Sequence, residues 1–175
     1  KAASTLTIDP IANQTYTGAA ITPAVVVKDV STTLTETTDY TLAYSDNTNV
    51  GTATVTITGV GNYTGTITQT FSIAAKAAST LTIDPIANQT YTGSAITPGV
   101  VVKDGSTTLT ETTDYTIAYS DNTNVGTATV TITGTGNYTG TITQTFSIAA
   151  KAASTLTIDP IANQTYTGAA ITPAV

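Results

Sequence analysis

The sequence predicts an all-β chain of antiparallel β-sandwich units, 75 residues each, repeated in tandem and arranged as a rod. Three observations predict it. The chain repeats itself almost unchanged with a period of 75 residues. Within each unit, apolar and hydroxyl residues alternate with a period of two over short runs, and Gly, Asn, Asp and Pro bound those runs. Twenty residues of the first unit and twenty-one of the second are Thr, a β-branched residue that favours strands.

Residues 1–75 and 76–150 align without a gap and differ at five positions: Ala19/Ser94, Ala24/Gly99, Val30/Gly105, Leu42/Ile117 and Val60/Thr135. Residues 151–175 repeat 1–25 without a change. The expected organisation is therefore one repeat over 1–75, a second over 76–150, and a partial third over 151–175, read as a window on a longer array. The period exceeds the roughly 20–45 residues of a solenoid coil. It suits a small bead with its own core, near the low end of the usual domain range of roughly 50–250 residues.

The elements of one unit follow from local pattern. Ser4–Asp9 alternates with Leu6 and Ile8 inward, and Pro10 ends it, since Pro cannot donate to a ladder. Gln14–Thr17 is a short strand closed by Gly18. Ala24–Lys28 is a compact apolar strand. Asp29-Val30-Ser31 reads as a turn, and its counterpart Asp104-Gly105-Ser106 carries the stronger hairpin dipeptide. Thr32–Thr35 is a short strand. Asp39–Ser45 alternates with Tyr40, Leu42 and Tyr44 on one face. After the dense turn 46–51 come the two longest runs. Ala53, Val55 and Ile57 point inward from the first, and Ile67, Phe71 and Ile73 from the second, with a tight turn at Gly59-Val60-Gly61-Asn62 between them. Gln69 shares the inward parity and is placed near the rim, where its amide reaches backbone or water.

About seven short strands at roughly 8–12-residue spacing are the signature of an immunoglobulin-like sandwich. Two stacked sheets bury Val25, Val27, Leu42, Tyr44, Val55, Ile57, Phe71 and Ile73 together. From Thr66 through Asp84 there is neither Gly nor Pro. The last strand of one unit is expected to run through Ala74–Ala78 directly into the first strand of the next, giving a stiff connection.

Composition narrows the function. The chain is 40% hydrophobic and 9% charged, the opposite of a disordered composition. No apolar run is long enough to span a membrane as a helix. The net charge is −6 and there is no Arg, which argues against nucleic acid or an anionic membrane as partner. There is no Cys, hence no disulfide framework and no thiolate metal site, and no His to serve a nucleophile.

The run Tyr44–Gly65, with its Asn49-Val-Gly-Thr-Ala-Thr-Val55 and Gly61-Asn-Tyr-Thr-Gly65 elements, is followed by the strand ending Phe71-Ser-Ile73. Together with Tyr16-Thr-Gly18 and Pro23, it resembles the tandem immunoglobulin-like repeats of bacterial surface proteins. These include the MBG-type and other bacterial Ig-like modules in stalks of adhesins and wall-associated proteins. The resemblance covers essentially the whole unit. It implies an extracellular, cell-surface location and structural or adhesive roles without catalysis. The near-identity of adjacent units goes beyond most such stalks and points to recent duplication or to filament building.

Candidate chemistry is sparse. Asp46, Asn47 and Asn49 offer oxygen ligands of the type Ca²⁺ prefers, but there is one carboxylate and no EF-hand spacing, so Asx side chains capping their own turn explain the run better. Asn13, Asn62, Asn88 and Asn137 sit in N-glycosylation sequons, and O-linked sugar on Thr is equally compatible with the composition. Lys28 and its equivalent Lys103 are candidates for an intramolecular isopeptide bond of the kind found in some surface stalks. The partners would be Asn62 or Asn13, with Asp39 as the nearby acid; the simpler role is a Lys guarding an edge strand. The expectation is a structural protein with no catalytic residues and no cofactor. Its partners are neighbouring repeats or identical subunits, and cell wall, glycan or other cells. The alternative is a multivalent binding module that recognises glycan, a host surface or ice through its Thr-rich faces or turn loops. A third arrangement is a filament in which a strand of one subunit completes the next.

Overall fold

The computed structural model describes residues 1–173. The chain is all-β, with short 3₁₀ turns and no α-helix among the described residues. The first 75 residues form β1 (Thr7–Ile8), β2 (Gln14–Thr15), β3 (Val27–Asp29), β4 (Thr32–Thr33), β5 (Tyr40–Ser45), β6 (Gly51–Gly59) and β7 (Thr66–Ala74). Residues 76–150 form β8 (Lys76–Ala77), β9 (Thr82–Ile83), β10 (Gln89–Thr90), β11 (Val102–Asp104), β12 (Thr107–Thr108), β13 (Tyr115–Ser120), β14 (Gly126–Gly134), β15 (Tyr138–Thr139) and β16 (Thr141–Ala149).

Each unit holds a four-stranded and a three-stranded sheet. Their orders are β2-β7-β6-β5 and β1-β3-β4 in the first, and β10-β16-β14-β13 and β9-β11-β12 in the second. Ladders stay within 1–75 or within 76–150. The two sheets share a core. Leu6, Val27 and Leu34 from the smaller sheet and its loops meet Tyr40, Val55 and Ile57 from the larger. Ala53, Val55 and Ile57 are fully buried while the Thr residues between them are not, as the period of two predicts.

The structure departs from the sequence pattern in several places. The strand expected over Ser4–Asp9 begins instead with a 3₁₀ turn at Ala3–Thr5. Both the amide and the hydroxyl of Thr5 return to the Ala2 carbonyl, at 3.1 and 2.8 Å, and this local bonding takes the place of a ladder. Secondly, the larger sheet is mixed rather than purely antiparallel. β2 lies parallel to β7 through Gln14↔Ile73 and Thr15↔Ala74.

Thirdly, the connection after β6 is longer than a tight turn. Gly59 N–H donates to the Gly65 carbonyl at 2.9 Å, and the loop between them also pairs with the start of the unit. Ala3 N–H donates to Thr64 O at 2.8 Å, and Thr64 N–H to Lys1 O at 3.0 Å. A Cβ on Gly59 would stand 2.9 Å from the Thr64 nitrogen, so the loop folds back only over a glycine. Fourthly, β7 does not run unbroken into the next unit's first strand. Ala75 separates β7 from β8, and a second 3₁₀ turn at Ala78–Thr80 precedes β9.

The Ala24–Lys28 strand shortens to Val27–Asp29 because side chains hold the preceding carbonyls. The Tyr44 hydroxyl donates to Pro23 O at 2.6 Å and the Tyr40 hydroxyl to Val25 O at 3.4 Å. Gln69 is half-buried opposite Val55.

The two copies of the β3–β4 turn provide an internal comparison. Val30 holds φ 57 and is 84% exposed, while Gly105 holds φ 59. A β-branched residue is strained in the left-handed region, at about 1–2 kcal/mol for an L-residue, and exposed Val30 makes no compensating burial. Val30→Gly is expected to stabilise the first unit by about 0.5–1 kcal/mol, and Gly105→Val to destabilise the second by at least as much. Denaturant unfolding with hydrogen exchange resolved by unit measures both; an unchanged first unit in Val30→Gly would refute the strain.

Candidate functional site at the joint between units

The residues singled out from sequence do not gather in one pocket. Lys28 Nζ donates to both Asp9 carboxylate oxygens at 2.6 and 2.8 Å, and Lys103 does the same to Asp84. The structure thus brings Lys28 to Asp9. Asn13 is exposed elsewhere, the Asn62 carbonyl accepts from the amino group of Lys1 at 2.6 Å, and Asp39 Oδ2 accepts from Thr35 N–H at 2.9 Å. The Lys28–Asp9 pair is well exposed and worth at most about 1 kcal/mol.

In the 46–51 loop, Asp46 sits at φ 55. Asn47 braces the loop: its Nδ2 donates to Ile21 O at 3.0 Å, and Ile21 N–H donates to its carbonyl at 2.8 Å. Its side-chain amide therefore ties the loop to Ile21, 26 residues away, instead of capping its own turn as the sequence pattern suggests. No cluster of three or more His, Cys, Asp or Glu side chains occurs among the described residues.

Asn49 does something the sequence did not signal. Its Oδ1 accepts from Asn137 Nδ2 at 3.1 Å, and Val50 N–H donates to Asn137 Oδ1 at 2.9 Å. One amide of the second unit therefore clamps the 46–51 loop of the first. Beside it, the Tyr16 ring meets the Tyr138 ring edge-on, with centroids 5.5 Å apart and planes at 82°. Such pairs contribute about 0.5–1.5 kcal/mol beyond area burial.

Tyr138 also anchors a polar network. Its hydroxyl donates to Asp104 Oδ2 at 3.2 Å, and Lys76 Nζ donates to the same carboxylate at 2.6 and 2.8 Å. A cleft of about 240 Å³ is lined by Tyr16, Thr17 and Gly18 of the first unit and by Lys76, Asp104 and Tyr138 of the second. β8 and β15 hold this side of the joint by pairing in parallel, Lys76 with Tyr138 and Ala77 with Thr139.

The first unit carries the same face. Tyr63 donates to Asp29 Oδ2 at 3.1 Å, and Lys1 Nζ pairs with Asp29. There Tyr63 is half-buried and Asn62 exposed, whereas Tyr138 is 5% exposed and Asn137 half-buried. The sequon asparagines of the two complete repeats thus divide: Asn13, Asn62 and Asn88 are exposed, and the amide of Asn137 is consumed by the joint. The one sequence cue for the joint is a pair of tyrosines, Tyr16 at the end of a short strand and Tyr63 in a turn, on an otherwise Thr-rich surface.

Burial raises the pKa of Tyr138 well above 10, and the Asp104 charge adds to this. Tyr40, Tyr44, Tyr63, Tyr115 and Tyr119 are raised too, in each case first by burial. The Lys1 hydrogen bond holds Asp29 below the usual carboxylate value. No protein-family model and no curated protein matches this chain.

Two outcomes follow. Asn137→Ala removes both arms of the clamp, so exchange of the Val50 amide should accelerate about tenfold or more with the core of each unit unchanged. Asn62→Ala, which faces no partner unit, should leave Val50 as it is; equal effects from both variants would refute the clamp. The second concerns alkali. The folded tyrosines have raised pKa values, so their stabilisation is complete below the unfolded value of 10 and is lost as pH rises through the folded values. Stability by denaturant titration should hold from neutrality to about pH 9 and fall steeply above 10.

Proposed function

We propose that this chain belongs to an extracellular structural repeat protein of immunoglobulin-like β-sandwich beads, forming a stiff stalk or fibre on a prokaryotic cell surface. The observation that carries this reading is the joint. A single residue, Ala75, separates β7 from β8, and Asn137, Tyr138, Tyr16 and Asn49 brace the two units from the side. All four residues recur in the complete repeats, so each added unit can form the same joint. A connection this short, braced off its axis, resists bending. The acidic, Arg-free composition keeps such an array soluble.

The outer face of the larger sheet supports a second reading, multivalent binding. Register aligns Thr41 with Thr58 and Thr66, and Thr54 and Thr56 with Thr70 and Thr68, and no charged residue lies in β5, β6 or β7. A flat hydroxyl surface repeated along an array gains by avidity even where each site is weak. Glycan-array and ice-recrystallisation assays on the chain and on Thr56→Lys separate this from a purely structural role.

Cryo-electron microscopy of the native assembly tests the first reading. Ten to twelve extended residues per unit predict a beaded rod with an axial rise of roughly 35–40 Å. Freely jointed beads with no constant spacing would rule out the stiff stalk.

A further inference from the structure

We propose that Tyr16 and Tyr138 form an oxidative modification site, at which a one-electron oxidant couples the two rings into a dityrosine and so staples one unit to the next. The composition confines oxidation to tyrosine. The chain has no Cys, Met, Trp or His, and it has nine Tyr. Thiol and thioether sulfur, which oxidants readily convert, is therefore absent. Tyr16 and Tyr138 make the one edge-to-face ring pair among the described residues, with centroids 5.5 Å apart. Tyr16 belongs to the first unit yet packs against the core of the second, where Tyr138 is buried. A bond between them is a bond across the joint. Both positions recur in the complete repeats, as Tyr91 and Tyr63, so every joint of this geometry holds one such pair.

The surroundings suit this coupling. A phenol that gives up an electron becomes strongly acidic and needs a base for its proton. The Tyr138 hydroxyl already donates to Asp104 Oδ2 at 3.2 Å, and that carboxylate accepts the proton. Tyr16 lines the cleft of about 240 Å³, where its proton passes to solvent. Burial disfavours the charged phenolate of Tyr138 but not the neutral radical. The ring carbons ortho to the two hydroxyls then join. The hydrogen on each of those carbons leaves as a proton, and each oxygen regains one. The net loss is two hydrogens. Their electrons go to the oxidant, of the kind a peroxidase makes from hydrogen peroxide, and one peroxide becomes two waters. The clamp of Asn137 on Asn49 and Val50 keeps the rings from parting, so coupling within the joint outruns coupling between chains. The site needs only the joint, whether or not the chain is displayed on a cell.

The test is brief photo-oxidation of the dilute full chain by a tris-bipyridyl ruthenium(III) complex, with persulfate accepting the electrons, then cleavage at Lys and mass spectrometry. Peptide 2–28 carries Tyr16 alone, and peptide 104–151 carries Tyr115, Tyr119 and Tyr138. Coupling predicts these two peptides joined, two hydrogens lighter than their sum, with fragment ions placing the bond at Tyr138. Dityrosine fluorescence should run with the monomer. Exchange of the Val50 amide should slow in the coupled chain, because the clamp beside the bond opens less often. Tyr16→Phe keeps the ring contact and removes the hydroxyl. It should cut the monomer's fluorescence about tenfold or more and leave Val50 exchange as it is before oxidation. Joined peptides that lack 2–28, or that link it mainly between chains, overturn the proposal. So does a Tyr16→Phe chain that keeps its monomer fluorescence, because the bond would then lie elsewhere. Consumption of tyrosine at other positions with no bond between Tyr16 and Tyr138 overturns it as well.

Discussion

The antiparallel ladder between β6 and β7 is the interaction on which the rest of each unit depends. It pairs Gly51 with Ile73 at one end and Thr58 with Thr66 at the other. β5 adds to its free edge on β6, and β2 adds in parallel to the end of β7. Its inner face presents Val55 and Ile57 with no exposure, each contributing roughly 1.5–3 kcal/mol of burial. The smaller sheet has strands of only two or three residues and persists because Val27 and Leu34 find that face already in place.

The joint is a weaker structure of a different kind. One asparagine and one pair of tyrosine rings hold it across the two units, and each contributes little alone. The peptide link through Ala75 and the Asn137 clamp fix two separate points of contact, so bending about one must break the other. The first and second units therefore differ in their surroundings although their sequences differ at only five positions. Asn62 and Tyr63 are open where Asn137 and Tyr138 are closed.

Local periodicity made the long strands legible. Ala53, Val55 and Ile57 alternate with Thr over many residues, and no other element type accommodates that pattern. The short strands were legible only as apolar runs, and their bounds moved. Tyr40 and Tyr44 hydroxyls capture carbonyls near Val25, and Thr5 turns back on Ala2. Among the candidate sites, the bond of Asn47 to Ile21, the salt bridge of Lys28 to Asp9 and the clamp of Asn137 on Asn49 were not readable, because each joins residues that only folding brings together.

Residues 1–23 and 151–173 separate the two kinds of information, since they are the same sequence. Both form the 3₁₀ turn, Ala3–Thr5 and Ala153–Thr155, and both place a glycine in the left-handed region, Gly18 and Gly168. Those features close within three or four residues, so the local sequence is enough to form them. The strands Thr7–Ile8 and Gln14–Thr15 form only in the first, where β3 and β7 stand ready to pair, and no strand occurs over 151–173. A ladder hydrogen bond needs a partner supplied from far along the chain. Strand pairing, burial of Leu6 and Ile21, and the joint were therefore decided by tertiary structure alone.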